Sequence, residues 1–257
     1  MQMQTKIAFA FRNAASFCIS STEQAAANGD ATLTTQLSWG RCRVENFDNS
    51  PFVLPPQQER SRIALARIVA GAAKVLVRNG GGSFSMDDVA KAAGVPVGSI
   101  YRRFKGKNAI IQAIALDTFT RIEDMTRDRM QGHNFASAGE VVAELAAGFA
   151  AFSEQNQPLI RLMVSHSTAS DPALLDVVMA GRRRLVDYYG GALSGFLHHV
   201  PEPRRDIVVG ISYEIVSSAV IGKIRGDVPV SLELSWSDLA QEVTKAATSY
   251  LREAALP

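Results

Sequence analysis

Cysteine is nearly absent from this sequence: Cys18 and Cys42 are the two in 257 residues. Both fall within the first 56, so neither a disulfide framework nor a CxxC metal site is implied, and a reducing, cytoplasmic setting fits. Aromatic residues are scarce at 7%, while Ala, Val, Leu and Ile are plentiful, a balance that leans toward helices. Long apolar runs are missing too. A stretch such as Val141–Phe152 is interrupted by Glu144 and is too short to span a bilayer, so no membrane partner is expected. No strand-type alternation persists, which excludes the βαβ alternation of a dehydrogenase-like fold. No HExxH, GxxxxGK[ST] or GxSxG pattern occurs either. The chain offers no recognisable catalytic constellation, so it is not expected to be an enzyme, and no metal or cofactor is expected.

What the sequence does have is an uneven distribution of charge. Its net charge is only +2, yet residues 57–110 hold ten cations against three anions. Residues 1–56 balance at zero, and residues 111–257 carry −5. A short basic segment on an acidic remainder reads as a polyanion-binding module attached to something else. Charge runs are also the usual mark of a solvated face, and charge alone leaves both readings open.

Residues 1–56 differ from the rest and read as an extension that is disordered or a marginal helix. Lys6 and Arg12, with no acid before Glu23, resemble a weak targeting segment, but Arg12 breaks the apolar run and no h-region follows. A start further downstream, at Val44 or Val53, is the other reading, since no Met lies between Met3 and Met86. From residue 58 the pattern is helical, with Leu65, Val69, Ala72, Ala73 and Leu76 at three- and four-residue steps. The "RNGGG" at 78–82 stops that helix. Ser85, three residues before Asp88, predicts an N-cap for a short helix over Met86–Ala92. Gly94 supplies a tight turn, and Pro96 fits the first turn of a helix that ends near Phe104. A longer helix is predicted from Asn108 to about Arg129. Further helices follow over Gly139–Glu154, Pro158–Ser165, Pro172–His199, Arg204–Arg225 and Ser237–Glu253. The expected fold class is all-α, with a three-helix helix-turn-helix domain over 57–106 and a helical domain over 107–257.

The two short helices joined by "AAGV" meet the physical demands of a helix-turn-helix. Val89, Ala90 and Ala93 give the first a small apolar inner face. On the second, Ile100 and Phe104 share one side, Gly98 and Arg102 fall roughly opposite, and Ser99 and Tyr101 flank them. Val97 partly faces inward on the same wheel. The segment "SMDDVAKAAGVPVGSIYRRFKGKNAII" resembles the DNA-binding signature of the TetR (tetracycline-repressor-like) family. The frame G-V-x-x-G-S-I-Y-x-x-F-x-x-K falls on Gly94, Val95, Gly98, Ser99, Ile100, Tyr101, Phe104 and Lys107. The resemblance spans about Ser61 to Ile122.

That resemblance implies an all-helical, non-catalytic repressor with an N-terminal DNA-binding domain and a C-terminal domain for ligand and dimer. It places Val97, Gly98, Ser99, Tyr101, Arg102 and Arg103 against the groove or its phosphate walls, and Lys107 and Ser85 on phosphates. Arg102 is the best candidate for guanine, because a guanidinium can pair with O6 and N7 together. Tyr101 offers its hydroxyl to a phosphate and its ring to sugar or a thymine methyl. Pro96 departs from the family, where a capping side chain is common. So does Leu65, where an Arg is often found, with Arg60 and Arg62 as substitutes.

The implied partners are a double-stranded DNA operator, a second copy of the chain, and a small apolar effector. The dimer is expected through Arg204–Arg225 and Ser237–Glu253, the first with Ile207, Ile211, Ile215, Ala219 and Gly222 near one face. Phe149, Phe152, Leu162, Met163, Tyr188, Tyr189, Phe196 and Tyr213 are candidate effector-lining residues, of types more often found as plain core than as ligand contacts. His166 is a candidate to orient a polar group. Arg182–Arg184 read as a solvated or interface face, and His198 and His199 as a poor metal pair. A helical protein-interaction module of the same shape, which does not read DNA, is the alternative.

Overall fold

The computed structural model describes residue 53 and residues 59–79, 83–131, 133–167, 172–227 and 233–254. The expectations for residues 1–56, Cys18 and Cys42 among them, lie outside the described residues except for Val53, which is buried. The side chain of His166 lies outside them as well. Among the described residues there is no strand. Eight helices occur there: α1 (Glu59–Arg78), α2 (Met86–Ala93), α3 (Val97–Tyr101), α4 (Lys107–Gln131), α5 (Ala138–Ser167), α6 (Pro172–Leu193), α7 (Glu202–Arg225) and α8 (Trp236–Ala254).

Helices α1 to α3 form a small head. Leu65, Val69, Ala72, Ala73 and Leu76 of α1 are buried, the stripe their spacing predicts, with Ile68 beside them, and α2 packs on that helix. Leu65, at a family arginine position, is therefore core. The head rests on α4 and on α5 through contacts from α1. Behind it, α4 packs on α6, α5 packs on α8, and α7 lies against α5, α6 and α8.

Two helix ends depart from expectation, and one expected break is found as a kink. Helix α3 ends at Tyr101, and Phe104 sits after a turn in which both Arg103 and Phe104 donate N–H to Ile100 O at 2.9 Å. The expected break before Pro158 is present inside α5 as a kink at Asn156, whose backbone leaves the helical region at φ −122° and ψ 18°. There Asn156 Nδ2 donates to Phe152 O at 2.7 Å and satisfies a carbonyl near the kink. Helix α6 stops at Leu193, before His198 and His199, although Leu197 and Val200 keep the buried period. Arg205 donates to Leu197 O and Val200 O at 3.1 and 2.9 Å, holding the chain in turns there.

Helix α7 corrects the membrane-length expectation. Over Glu202–Arg225 it is long and apolar enough, by length and composition alone, to cross a bilayer. Packing accounts for that composition. Val208, Val209, Tyr213, Val216, Val220 and Ile224 are buried in a helix with three neighbours, so it must be apolar on several faces.

Candidate functional site

The head is built around the turn at residues 94–96. Gly94 has φ +62°, the left-handed region, and its N–H caps α2 at Ala90 O and Lys91 O. A Cβ there would also sit 2.5 Å from Arg67 Nη2, whose guanidinium donates to Gly94 O at 3.1 Å. Arg67 thus ties α1 to the turn. Ahead of α2 stands a complete capping box. Asp88 N–H donates to Ser85 Oγ at 3.0 Å, and Ser85 N–H donates to Asp88 Oδ2 at 3.3 Å. The Ser85 hydroxyl donates to the same carboxylate at 2.6 Å, and that bond is the main reason the Asp88 carboxyl is held below its usual 3.8. The hydroxyl expected on a phosphate is therefore already committed within the chain.

Helix α3 presents two faces. Ile100 is 0% exposed and Phe104 is buried beside it, anchoring one side. Tyr101 is 60% exposed and Val97 36%, so Val97 faces outward where the wheel had it partly inward. Gly98 is exposed, with nothing within 4 Å of a Cβ built on it. Arg102 is exposed and donates through Nη2 to Ser99 Oγ at 3.0 Å, which orders the guanidinium along the helix. Pro96 occupies the N-cap with no side-chain cap bond.

Arg103 is placed differently from its neighbours. It is half-buried, donating to Ser99 O and to Ser61 Oγ at 3.0 Å each, so it fastens the end of α3 to α1. Lys107 opens α4 exposed, with Nζ 5.8 Å from the centre of the Phe84 ring. Of the ten cations in the basic segment, all but Arg62 and Arg103 are exposed.

A second candidate site lies in the helical layers behind the head, where α4, α5, α6 and α7 enclose a cavity of about 180 Å³. Four expected residues line it: Phe149, Phe152, Met163 and Tyr213. Leu162, Tyr188, Tyr189 and Phe196 do not. Leu162 and Tyr189 are core, and Tyr188 and Phe196 are half-buried elsewhere. Burial raises the ionisation of Tyr189 to about 12 and that of Tyr213 further, so both phenols stay neutral.

Phe119 and Ile122 of α4 complete the apolar wall. Gly181 makes room for Phe119: a Cβ there would fall 2.6 Å from its ring. Arg182, expected on a solvated or interface face, lines the cavity, as does Arg225. Its neighbour Arg184 instead forms a two-pronged pair with Glu123, donating Nε and Nη2 at 2.8 and 2.7 Å. His198 and His199 lie edge to face, 5.5 Å between centroids. Among the described residues no group of three or more His, Cys, Asp or Glu could hold a metal.

An exposed, cation-flanked helix after a glycine turn, carried on a helical body with an internal apolar cavity, defines a helix-turn-helix transcriptional regulator. Residues 68–114 match the family model of bacterial regulatory proteins of the tetR family, so the head and the start of α4 carry that family's domain. No curated protein matches it in sequence. Among solved structures it is similar to a tetR-family transcriptional regulator from Streptomyces coelicolor, with TM-score 0.61 and 15% identity over 75% of this chain and 82% of that one. It is also similar to FadR from Bacillus subtilis, solved in complex with stearoyl-CoA, with TM-score 0.57 and 16% identity over 72% and 98% of the two chains. A TetR transcriptional regulator from Rhodococcus sp. RHA1 gives TM-score 0.51 and 20% identity over 75% and 97%. At such identities the likeness is one of fold.

Proposed function

We propose that this chain is a cytoplasmic, non-catalytic repressor that binds a near-palindromic duplex operator as a homodimer and is released by a small apolar effector. Residues 57–106 serve as the reading head and residues 107–257 as the effector and dimer domain. The observation that carries this reading is the two-sidedness of α3: Ile100 and Phe104 are held in the core while Val97, Gly98, Tyr101 and Arg102 stand outward together. A helix presented this way can enter a major groove, with Arg102 offered to guanine and Tyr101 to phosphate, sugar or a thymine methyl. Ser99 and Lys107 complete the contact surface, Arg103 holds the helix in place, and the Ser85 cap orients the first turn of α2.

Dimerisation is supported by an uncovered apolar stripe on α7, where Ile207 and Ile211 are 55% and 44% exposed one turn apart. The cavity supports an effector. FadR of Bacillus subtilis, which is similar in fold, was solved in complex with stearoyl-CoA, and this supports a ligand-responsive reading of the chain. The route between the sites is α4, which begins at Lys107 and supplies Phe119 and Ile122 to the cavity wall. Twelve residues of helix separate Lys107 from Phe119, roughly 18 Å at 1.5 Å per residue. An effector that favours one tilt of that rod shifts the spacing of the two heads, to the extent that its affinity differs between the two arrangements.

Selection from random duplex DNA by the purified protein tests the reading. Enrichment of a near-palindrome with half-sites about one helical turn apart supports it. No enrichment across a range of salt favours a helical protein-interaction module instead.

A further inference from the structure

We propose that the cavity takes a compact amphipathic monoanion, an apolar body about the size of one aromatic ring bearing a carboxylate that Arg182 and Arg225 receive, and that this anion draws Arg182 away from Glu214. The inference rests on the reading that the cavity holds the effector, and it names the chemistry of that effector and its link to the dimer stripe.

Size comes first. A dry apolar cavity of roughly 150 Å³ accepts one benzene ring, whereas drug-sized ligands occupy roughly 300–1,000 Å³. At about 180 Å³ this cavity suits a single ring or a short chain, and a long acyl chain does not fit unless the walls part.

Charge comes second. The lining includes two guanidiniums and no carboxylate. Guanidinium groups are always charged and match a carboxylate in two-pronged geometry. Their side chains are 29% and 42% exposed, so they mark the edge of the cavity that meets solvent, the place for the charged end of an amphipathic guest. Arg225 has a long contact with Asp227 at 3.8 Å. The hydroxyl of Ser217, a residue 4% exposed on the α7 wall one turn beyond Tyr213, has no hydrogen-bond partner. A buried hydroxyl left this way is satisfied when a guest brings a polar atom to it.

The link to the stripe runs through Arg182. Its guanidinium lies 5.8 Å from the centre of the Tyr213 ring and is ion-paired with Glu214. Glu214 is seven residues after Ile207 and three after Ile211, so it stands on the same exposed face of α7 as the apolar stripe. A carboxylate in the cavity competes with Glu214 for one guanidinium. When it wins, an acidic side chain is released into the stripe, and the energetics of that face change with it.

Calorimetric titration of the full chain with three probes tests this: hydrocinnamate, its neutral amide, and palmitate. Hydrocinnamate is expected to bind about tenfold or more tighter than the amide, the effect of one charge-assisted pair. Glu214→Gln should strengthen hydrocinnamate binding several-fold and leave the amide unchanged. Joint Arg182→Gln and Arg225→Gln substitution should erase the preference for the acid. Equal affinity for acid and amide in the unaltered protein would overturn the anion assignment while leaving the cavity reading intact. Palmitate binding more tightly than hydrocinnamate would overturn the size class. No change of acid affinity in Glu214→Gln would overturn the competition for Arg182. Failure of all three probes to bind would overturn both this proposal and the cavity reading beneath it.

Discussion

Tyr101 and Lys107 stand within six residues of each other and are asked to do different things. Tyr101 projects from α3 with little support from the core, so its removal should leave the head folded. Tyr101→Ala is expected to weaken operator binding roughly 10- to 100-fold, the scale of one groove contact, with the dimer unchanged by sedimentation. Unaltered affinity by fluorescence anisotropy would remove α3 as the reading element. In the proposed function Lys107 reads charge rather than sequence. Lys107→Ala should weaken binding to all duplexes alike and flatten the slope of log affinity against log salt by about one unit per subunit. A loss confined to one base position would contradict that role. Single residues were legible in the sequence where their partners are near in the chain. The Ser85–Asp88 cap could be read because three residues separate its members. Arg103 could not, because its partner Ser61 lies 42 positions away and only the packing of α3 on α1 brings them together.

At the scale of the element, the turn at Gly94 sets the angle between α2 and α3. Its φ of +62° and its closeness to Arg67 both act against a side chain. Gly94→Ala is expected to cost about 1–2 kcal/mol from the backbone conformation alone, measured by chemical denaturation. It should also lower DNA affinity through mis-set geometry. A variant as stable as the parent would contradict the account of the turn. The order of the helices, and most of their interiors, followed from three- and four-residue periodicity and from Gly, Pro and Asn punctuation. Their ends were harder to read. Past α6 the apolar period continues through Leu197 and Val200, so nothing local marks the stop, which depends on Arg205 arriving from the next helix. In α5 the break before Pro158 was legible, and it is present as the kink at Asn156.

At the scale of the whole molecule, the exposed apolar stripe of α7 and the cavity show opposite degrees of legibility. Ile207, Ile211, Ile215 and Ala219 keep one face of α7 apolar in a helix apolar on its other faces too, a pattern that points to a second partner from the spacing of side chains alone. Aspartate at both Ile207 and Ile211 should shift the protein toward monomer in light scattering and weaken operator binding in step, with the monomer fold retained by circular dichroism. Dimers of unchanged stability would relocate the interface. Cavity walls, by contrast, use the same residue types as any helical core. Four of the expected lining residues belong to it and four do not. Arg182 and Arg225 were missed as lining because their partition between pocket and surface is decided by packing in three dimensions.

The central claim is that two copies of α3 lie in successive major grooves of duplex DNA. Methylation footprinting on a selected operator tests it most directly, because dimethyl sulfate reports guanine N7 in the major groove and adenine N3 in the minor groove. Protection of guanine N7 is expected in two patches centred about one helical turn, roughly 34–36 Å, apart on the duplex, and lost together in Tyr101→Ala. Protection confined to adenine N3, or uniform along the duplex, would contradict it.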